Sequence, residues 1–335
     1  MTESFNSSKI NSHVESLVER KPFLTIDEQI NLLKSRGLIM KDERFAKDIL
    51  EDSNYYRLSG YSLTLRKDDH FFHGVSFEDI TDIYYFDQAL RSLLFHYLQV
   101  IEVRVKSVYA YEFAKMYGPT SYTDPANFNS SLTTEEFENL LTKPKEMREK
   151  RLPEELFLKH YQEVDQLPIW VFIEVFTFGD LSRIFTASTD ELKVAVSKHF
   201  IKNYIVSENF QCTNNVSFFR MNLHCLTTLR NFCAHGSRLF NRVFIRKPHL
   251  TKFEFKLLRK VNNPSQSNGS KHGNRDNSHL YGFILVMKSL LRDNDFDALK
   301  SSIIALEAKY PKIDMGYYGF PKDWESTISD CTDSQ

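Results

Sequence analysis

An all-α fold is what this sequence predicts, and three observations predict it. Apolar residues recur at three- and four-residue steps through long segments, the spacing of one helix face. Only 11 Gly and 10 Pro occur in 335 residues, too few for a chain of many tight turns. No stretch alternates apolar and polar residues for long enough to build a sheet. The chain is 41% hydrophobic and 14% aromatic, with 28 Phe and 16 Tyr, so it has material for a sizeable core.

Residues before Pro22 read as a frayed lead-in. Thr25 then precedes Ile26, Asp27, Glu28 and Gln29: an N-cap followed by acids in the first turn, facing the positive end of the helix dipole. That helix should stop near Gly37, and a second should run from Lys41 to Glu51. The stretch NYYRLSGYSLTLR follows at Asn54–Arg66, with a loop or short hairpin at Asp68–Gly74.

The longest helical signal spans Phe77–Tyr117. Ile80, Ile83, Leu90, Leu94, Leu98, Ile101, Val105 and Val108 form one continuous stripe. Asp87 falls on that stripe where an aliphatic residue is expected, and Arg91 and Glu102 lie on its flank. Helix-surface pairing at i,i+4, Asp87 with Arg91 and Glu102 with Lys106, is one account of them. A role beside a functional group is the other.

A Pro/Tyr/Ser-rich loop at Tyr117–Asn129 leads to a charged helix over Thr133–Glu149. Leu167–Phe185 is apolar nearly all round and is expected to be buried. Glu174 sits in its middle, and a buried carboxylate is costly unless paired, so Glu174 should meet a cation in the core. A further helix is expected over Asp190–Tyr204. The next spans Asn215–Ala234, with Phe219, Leu223, Leu226, Leu229 and Cys233 facing inward and Gly236 as its stop.

From Arg238 to Lys260 the chain is basic: Arg238, Arg242, Arg246, Lys247, Lys252, Lys256, Arg259 and Lys260 against the single acid Glu254. Residues 262–279 are Ser/Asn/Gly-rich and read as a flexible loop. Helices over Leu280–Leu291 and Asp297–Tyr310 and the tail IDMGYYGFPKDW complete the chain. The organisation expected is an N-terminal helical region over 1–75, a helical core over 76–310 and a C-terminal tail over 311–335.

Composition narrows the function classes. The net charge is -1, so nucleic-acid binding has to come from a local patch. Cys212, Cys225, Cys233 and Cys331 form no CxxC pair and no zinc-ligand spacing, which suits reduced thiols in the cytosol. The N-terminus lacks the apolar core of a signal peptide. The longest apolar runs, Ile169–Phe178 and Phe283–Met287, are too short to span a bilayer. A cytoplasmic protein with no membrane association, no metal and no cofactor is the expectation.

Chemistry concentrates in the run LRNFCAHGSRLFNR, where Arg230, Asn231 and His235 close an amphipathic helix. Asn231 and His235 are one turn apart, so the amide can hydrogen-bond the imidazole and orient it. Arg230 can swing its fork toward a phosphate held over His235. Spacing alone is not specific, since Arg91 and His96 repeat it in mid-helix. A capping imidazole beside a surface arginine is the plain alternative.

The motif RNFCAHGSRLFNR resembles the RN-x3-H signature of the HEPN superfamily, all-helical proteins of which many are metal-independent endoribonucleases. The blocks KPFLTIDEQINLLKSRG, NYYRLSGYS, FDQALRSLLFHYLQVIEVRVKS, LPIWVFIEVFTFGDLS and MGYYGFPKDW are similar to the abortive-infection (Abi) family of the AbiD/AbiF type. The tail departs from the family, with extra residues where a shorter MGFP is usual. The resemblance implies a HEPN-like helical bundle with additional N-terminal helices. It implies an antiphage or toxin-like ribonuclease, a homodimer in which two motifs form one composite cleft. RNA is the implied substrate, and some family members pair with a structured non-coding RNA or belong to toxin–antitoxin systems.

On that reading Arg230, Asn231 and His235 are catalytic. An imidazole titrating near ~6.5 can serve as base toward the 2′-OH or as acid toward the 5′-oxygen. Arg230 would stabilise charge on the phosphorus. Glu102, Glu174, Asp87 and Arg91 are supporting candidates, with core ion pairing as the competing account. Arg238, Arg242, Arg246 and Lys247 could guide the RNA backbone, or form a solvated charged face. Tyr56 and Arg57 could stack on bases, or pack in the core. The alternative function is a non-catalytic RNA-binding or phage-sensing helical module.

Overall fold

The structure, a computed structural model, describes residues 22–164, 166–200, 212–258 and 276–329. The all-α expectation holds: a two-stranded hairpin is the whole of the sheet structure among the described residues. The chain divides into two compact units, Met1–Tyr84 and Tyr85–Gln335. Among the described residues no helix is long and apolar enough to cross a membrane.

The N-terminal unit contains α1 (Ile26–Ser35), α2 (Glu43–Ser53), α3 (Tyr55–Ser59) and the antiparallel strands β1 (Arg66–Lys67) and β2 (His70–Phe71). Thr25 caps α1 in a reciprocal box with Glu28. Gly37, at φ +86°, ends it: its N–H reaches the Lys34 carbonyl at 2.9 Å and that of Leu38 reaches Leu33 at 3.1 Å. Asp42 caps α2 and Asn54 caps α3, each accepting a backbone N–H.

Helix α4 (Phe77–Tyr117) has 41 residues, about 61 Å of helix. Its predicted limits are those observed. Within the second unit its stripe is fully buried at Leu90, Leu94, Leu98, Ile101 and Val105, and Tyr109 and Phe113 extend it. The helices that follow are α5 (Thr134–Arg151), α6 (Leu156–Lys159), α7 (Ile169–Phe172), α8 (Phe178–Ala187), α9 (Asp190–Lys198) and α10 (Cys212–Ala234). Then come α11 (Lys252–Leu257), α12 (Leu280–Leu290), α13 (Asp293–Lys309) and α14 (Trp324–Ser329). All eleven residues of α12 are buried, which places it in the centre of the unit. Arg104 of α4 donates to the last carbonyl of α12, Leu290, at 2.6 Å. Rings of α8 and α10 meet edge to face, Phe185 against Phe219 at 5.0 Å.

Leu167–Phe185 departs from expectation. It is interrupted: α7 passes into a 3-10 turn at Ile173–Val175, Phe176 and Thr177 are extended, and α8 begins afresh. Thr177 causes the break by capping α8 in a box with Asp180, which takes the backbone out of the helical path. The turn points Glu174 outward, where it is exposed, so the expected core carboxylate is a surface one. Helix α13 starts four residues ahead of the expected Asp297. Helix α9 stops at Lys198, with His199 and Phe200 in a turn, short of the expected Tyr204; residues 201–204 and most of the loop expected at 262–279 lie outside the described residues.

The two faces of α4 give a direct test of the packing. Leu90→Ala, at a position with no solvent exposure, is expected to cost about 2–5 kcal/mol in urea unfolding. Val103→Ala, at a position 61% exposed, should stay within about 0.5 kcal/mol of the parent protein.

Candidate functional site: the end of helix α10

The inward stripe of α10 is as expected, with Phe219, Leu223, Leu226, Leu229 and Cys233 all buried. Burying that face turns the opposite one to solvent and exposes Asn231 and His235. The helix closes in a paired C-terminal turn. Gly236, at φ +65°, donates to the Cys233 carbonyl at 3.2 Å, and Ser237 donates to that of Phe232 at 2.9 Å. His235 is thereby the last residue of the helical path, held by its backbone N–H to the Asn231 carbonyl at 2.9 Å. Among the described residues the expected bond between the Asn231 amide and the His235 imidazole is not formed, and both side chains are open to solvent.

Arg230 projects from a different side of the helix, half-buried, toward α4. Its Nε lies 3.8 Å from Glu102 Oε2, and its guanidinium stands 5.5 Å from the centre of the Phe95 ring. Glu102 is buried and also faces Lys106, whose Nζ is 3.5 Å away. One carboxylate therefore serves two cations. Nε of Arg230 is buried without a hydrogen-bond partner, because 3.8 Å is an electrostatic contact rather than a bond. The guanidinium is steered by Glu102 and the ring face while part of its donor set stays unspent.

Below this site sits Asp87, with no solvent exposure. Its carboxylate accepts the backbone N–H of Leu239 at 3.1 Å, that of Phe240 at 2.8 Å and the hydroxyl of Tyr318 at 3.0 Å. Arg91, also buried, closes the set with a short ion pair to the same carboxylate. The surface pair expected from i,i+4 spacing is thus a core ion pair. It clamps the chain just beyond His235 to α4 and to the C-terminal segment. Cys233 packs nearby. Burial pushes its thiol up to about 12; Arg91 opposes the rise and Asp87 adds to it.

The basic run is dispersed. The Arg242 guanidinium covers the Phe232 ring at 4.3 Å, and its Nε donates to the Arg238 carbonyl. Lys247 pairs with Asp276 at 3.6 Å, and Arg246 is exposed. Glu174 is a surface residue whose carbonyl accepts from Arg151, so Glu102 is the carboxylate found beside Arg230. Tyr56 and Arg57 sit exposed on α3 of the N-terminal unit, rather than packed in a core. His96 is exposed and lies edge to face against Tyr97.

Sequence reasoning missed Phe95 and Tyr318. Phe95 gave no signal, because a half-buried helical phenylalanine reads as packing. Tyr318 was foreshadowed by Asp87 itself, since an acid on an apolar stripe requires donors from somewhere. Among the described residues no group of three or more His, Cys, Asp or Glu is arranged to hold a metal ion.

The sequence model of one family, described as Abi-like protein, matches residues 48–241. That span takes in most of α2, all of α4 and the whole Arg230–His235 motif. No curated protein and no solved structure matches the chain.

Removing the clamp should be costly. Asp87→Ala takes the carboxylate away from the buried Arg91, two backbone N–H groups and the Tyr318 hydroxyl, with an expected loss of about 3–5 kcal/mol in denaturant unfolding. Amide exchange at Leu239 and Phe240 should accelerate beyond that of the α12 core. A second measurement reads the thiols. Burial pushes Cys225 up to about 11 and Cys233 up to about 12, so at pH 8 neither holds appreciable thiolate. Both should resist iodoacetamide in the folded protein and react once urea unfolds it.

Proposed function

Because the chain belongs to the Abi-like protein family, whose description points to abortive infection, we propose that it is an antiphage endoribonuclease of the HEPN type and AbiD/AbiF-like kind. The observation that carries this reading is the end of α10. An exposed imidazole and amide stand on one side of that helix end, and on another side, toward α4, a guanidinium is steered by a buried carboxylate.

The reaction needs no redox chemistry. The 2′-oxygen attacks phosphorus as its proton leaves to a base, the bond to the 5′-oxygen breaks, and an acid protonates that oxygen. The products are a 2′,3′-cyclic phosphate and a free 5′-hydroxyl. His235 supplies one proton-transfer group per chain, and two are required, so a composite site made by two copies supplies both. Arg230 stabilises the charge that develops on the phosphoryl oxygens. Glu102 and Phe95 act through Arg230 by limiting its swing, and Asn231 contacts a phosphate oxygen or turns to His235 once RNA is bound.

A second reading, RNA retention without cleavage, draws on the absence, among the described residues, of a side-chain bond orienting His235.

Purified protein is expected to cut RNA in excess EDTA and to leave cyclic phosphate ends. His235→Ala and Arg230→Ala should each lower the rate by at least about 100-fold, the low end for a general acid–base group or a charge-stabilising donor. Sedimentation should give a dimer, and activity in a strictly monomeric sample would rule out the composite site. Tight RNA binding with no scission by any form would establish the second reading instead.

A further inference from the structure

A second feature lies on the same face of α10. A cleft of about 710 Å³ opens where α5, α8, α9 and α10 meet, within the size range of ligand sites, about 300–1,000 Å³. Arg183, Lys193, Arg220 and His224 bring basic side chains to its walls, and Asn129 and Asn139 bring amides. The one acid of the lining, Glu136, is committed to the capping box of α5 with Thr133. Arg183 and Lys193 are paired with Asp180 and Asp190, but Arg220 is exposed and has no carboxylate partner among the described residues. Leu132 and Met221 provide an apolar surface beside these groups.

Position gives the cleft its meaning. On a helix of 3.6 residues per turn, Arg220, His224, Asn231 and His235 fall within about 60° of one another around the axis. All four are exposed, as one continuous face requires. His224 and His235 are about 16 Å apart along that face. A single strand lying over the end of α10 would run along this row and reach the cleft a few nucleotides from the motif.

We propose that this cleft is a nucleotide subsite for single-stranded RNA. Arg220 and Arg183 hold a phosphate, the amides of Asn129 and Asn139 meet a base edge, and the base lies on Leu132 and Met221. The proposal rests on the ribonuclease reading for its direction along α10, not for the binding itself. Partial desolvation on the protein side of this exposed ring, together with the nearby Arg246 guanidinium, holds the His224 imidazole below the usual histidine range, so near neutral pH it can both donate and accept hydrogen bonds. The sequence hid this site because its residues come from four separate helices and one loop.

The test uses full-length His235→Ala protein, so that the strand stays intact, and fluorescein-labelled single-stranded RNA read by anisotropy. Arg220→Ala should weaken binding on the order of tenfold. It should also reduce the slope of log K against log salt by about 0.7, the loss of one phosphate contact on a single strand. Met221→Ala removes part of the apolar surface on which the base lies without changing charge, and should weaken binding as well. Lys309→Ala, a surface change on α13, is the control, and thermal melting verifies that each variant folds. Unchanged affinity and slope in Arg220→Ala, or unchanged affinity in Met221→Ala, would overturn the proposal. So would displacement of the RNA from the parent protein alone by a poly-glutamate peptide that Arg220→Ala fails to bind, which would identify an acidic protein partner. Failure of the nuclease reading is seen separately, as absence of EDTA-resistant cleavage by the unsubstituted protein, and leaves these binding results standing.

Discussion

The carboxylate of Asp87 is the constraint on which the rest of the second unit's architecture hangs. It is fully enclosed, and donors converge on it from three parts of the chain, among them Arg91, the backbone of Leu239 and Phe240, and Tyr318. A charge removed from water is tolerated only when its lone pairs are filled, so this group admits few alternative arrangements. By holding residues 239–240 against α4 it determines where the chain goes after Gly236. It therefore determines that the last turn of α10 is presented outward at a defined place.

The same long helix supplies the neighbouring site. Glu102 is 15 residues beyond Asp87 on α4 and steers Arg230, while the aromatic face of Phe95 limits the guanidinium from another direction. A guanidinium so held loses less freedom when it meets an anion than a free surface arginine would. Among the described residues no side-chain bond restrains the His235 imidazole in a comparable way. That contrast fits a site in which substrate, or a second copy, completes the orientation of the imidazole.

How much of this was legible in the sequence varied by residue. The stripe of α4 predicted both its limits and its buried face, because 41 residues of 3.6-residue periodicity leave little room for another structure. The inward stripe of α10 and its glycine stop were equally readable. Glu174 was misplaced for a physical reason: an apolar stretch was taken as one buried helix, while Thr177 and Asp180 restart the helix and swing the carboxylate outward. The basic run after His235 looked like a phosphate-binding strip. In the fold Arg242 turns to an aromatic ring and a carbonyl and Lys247 pairs with an aspartate, while Arg246 is exposed, a dispersal that residue order alone does not show.

What the sequence determined by itself was the all-helical class, the helix faces and the grouping of Arg230, Asn231 and His235 at one helix end. These follow from periodicity and capping, which act over a few residues and are written locally. Tertiary structure decided which charges are buried and which partners they find. Asp87 and Tyr318 are 231 residues apart, and the cleft beside Arg220 is assembled from four helices. No local rule links such positions, because the free energy that joins them comes from burying apolar faces together, and the polar groups caught between those faces must pair with whatever arrives.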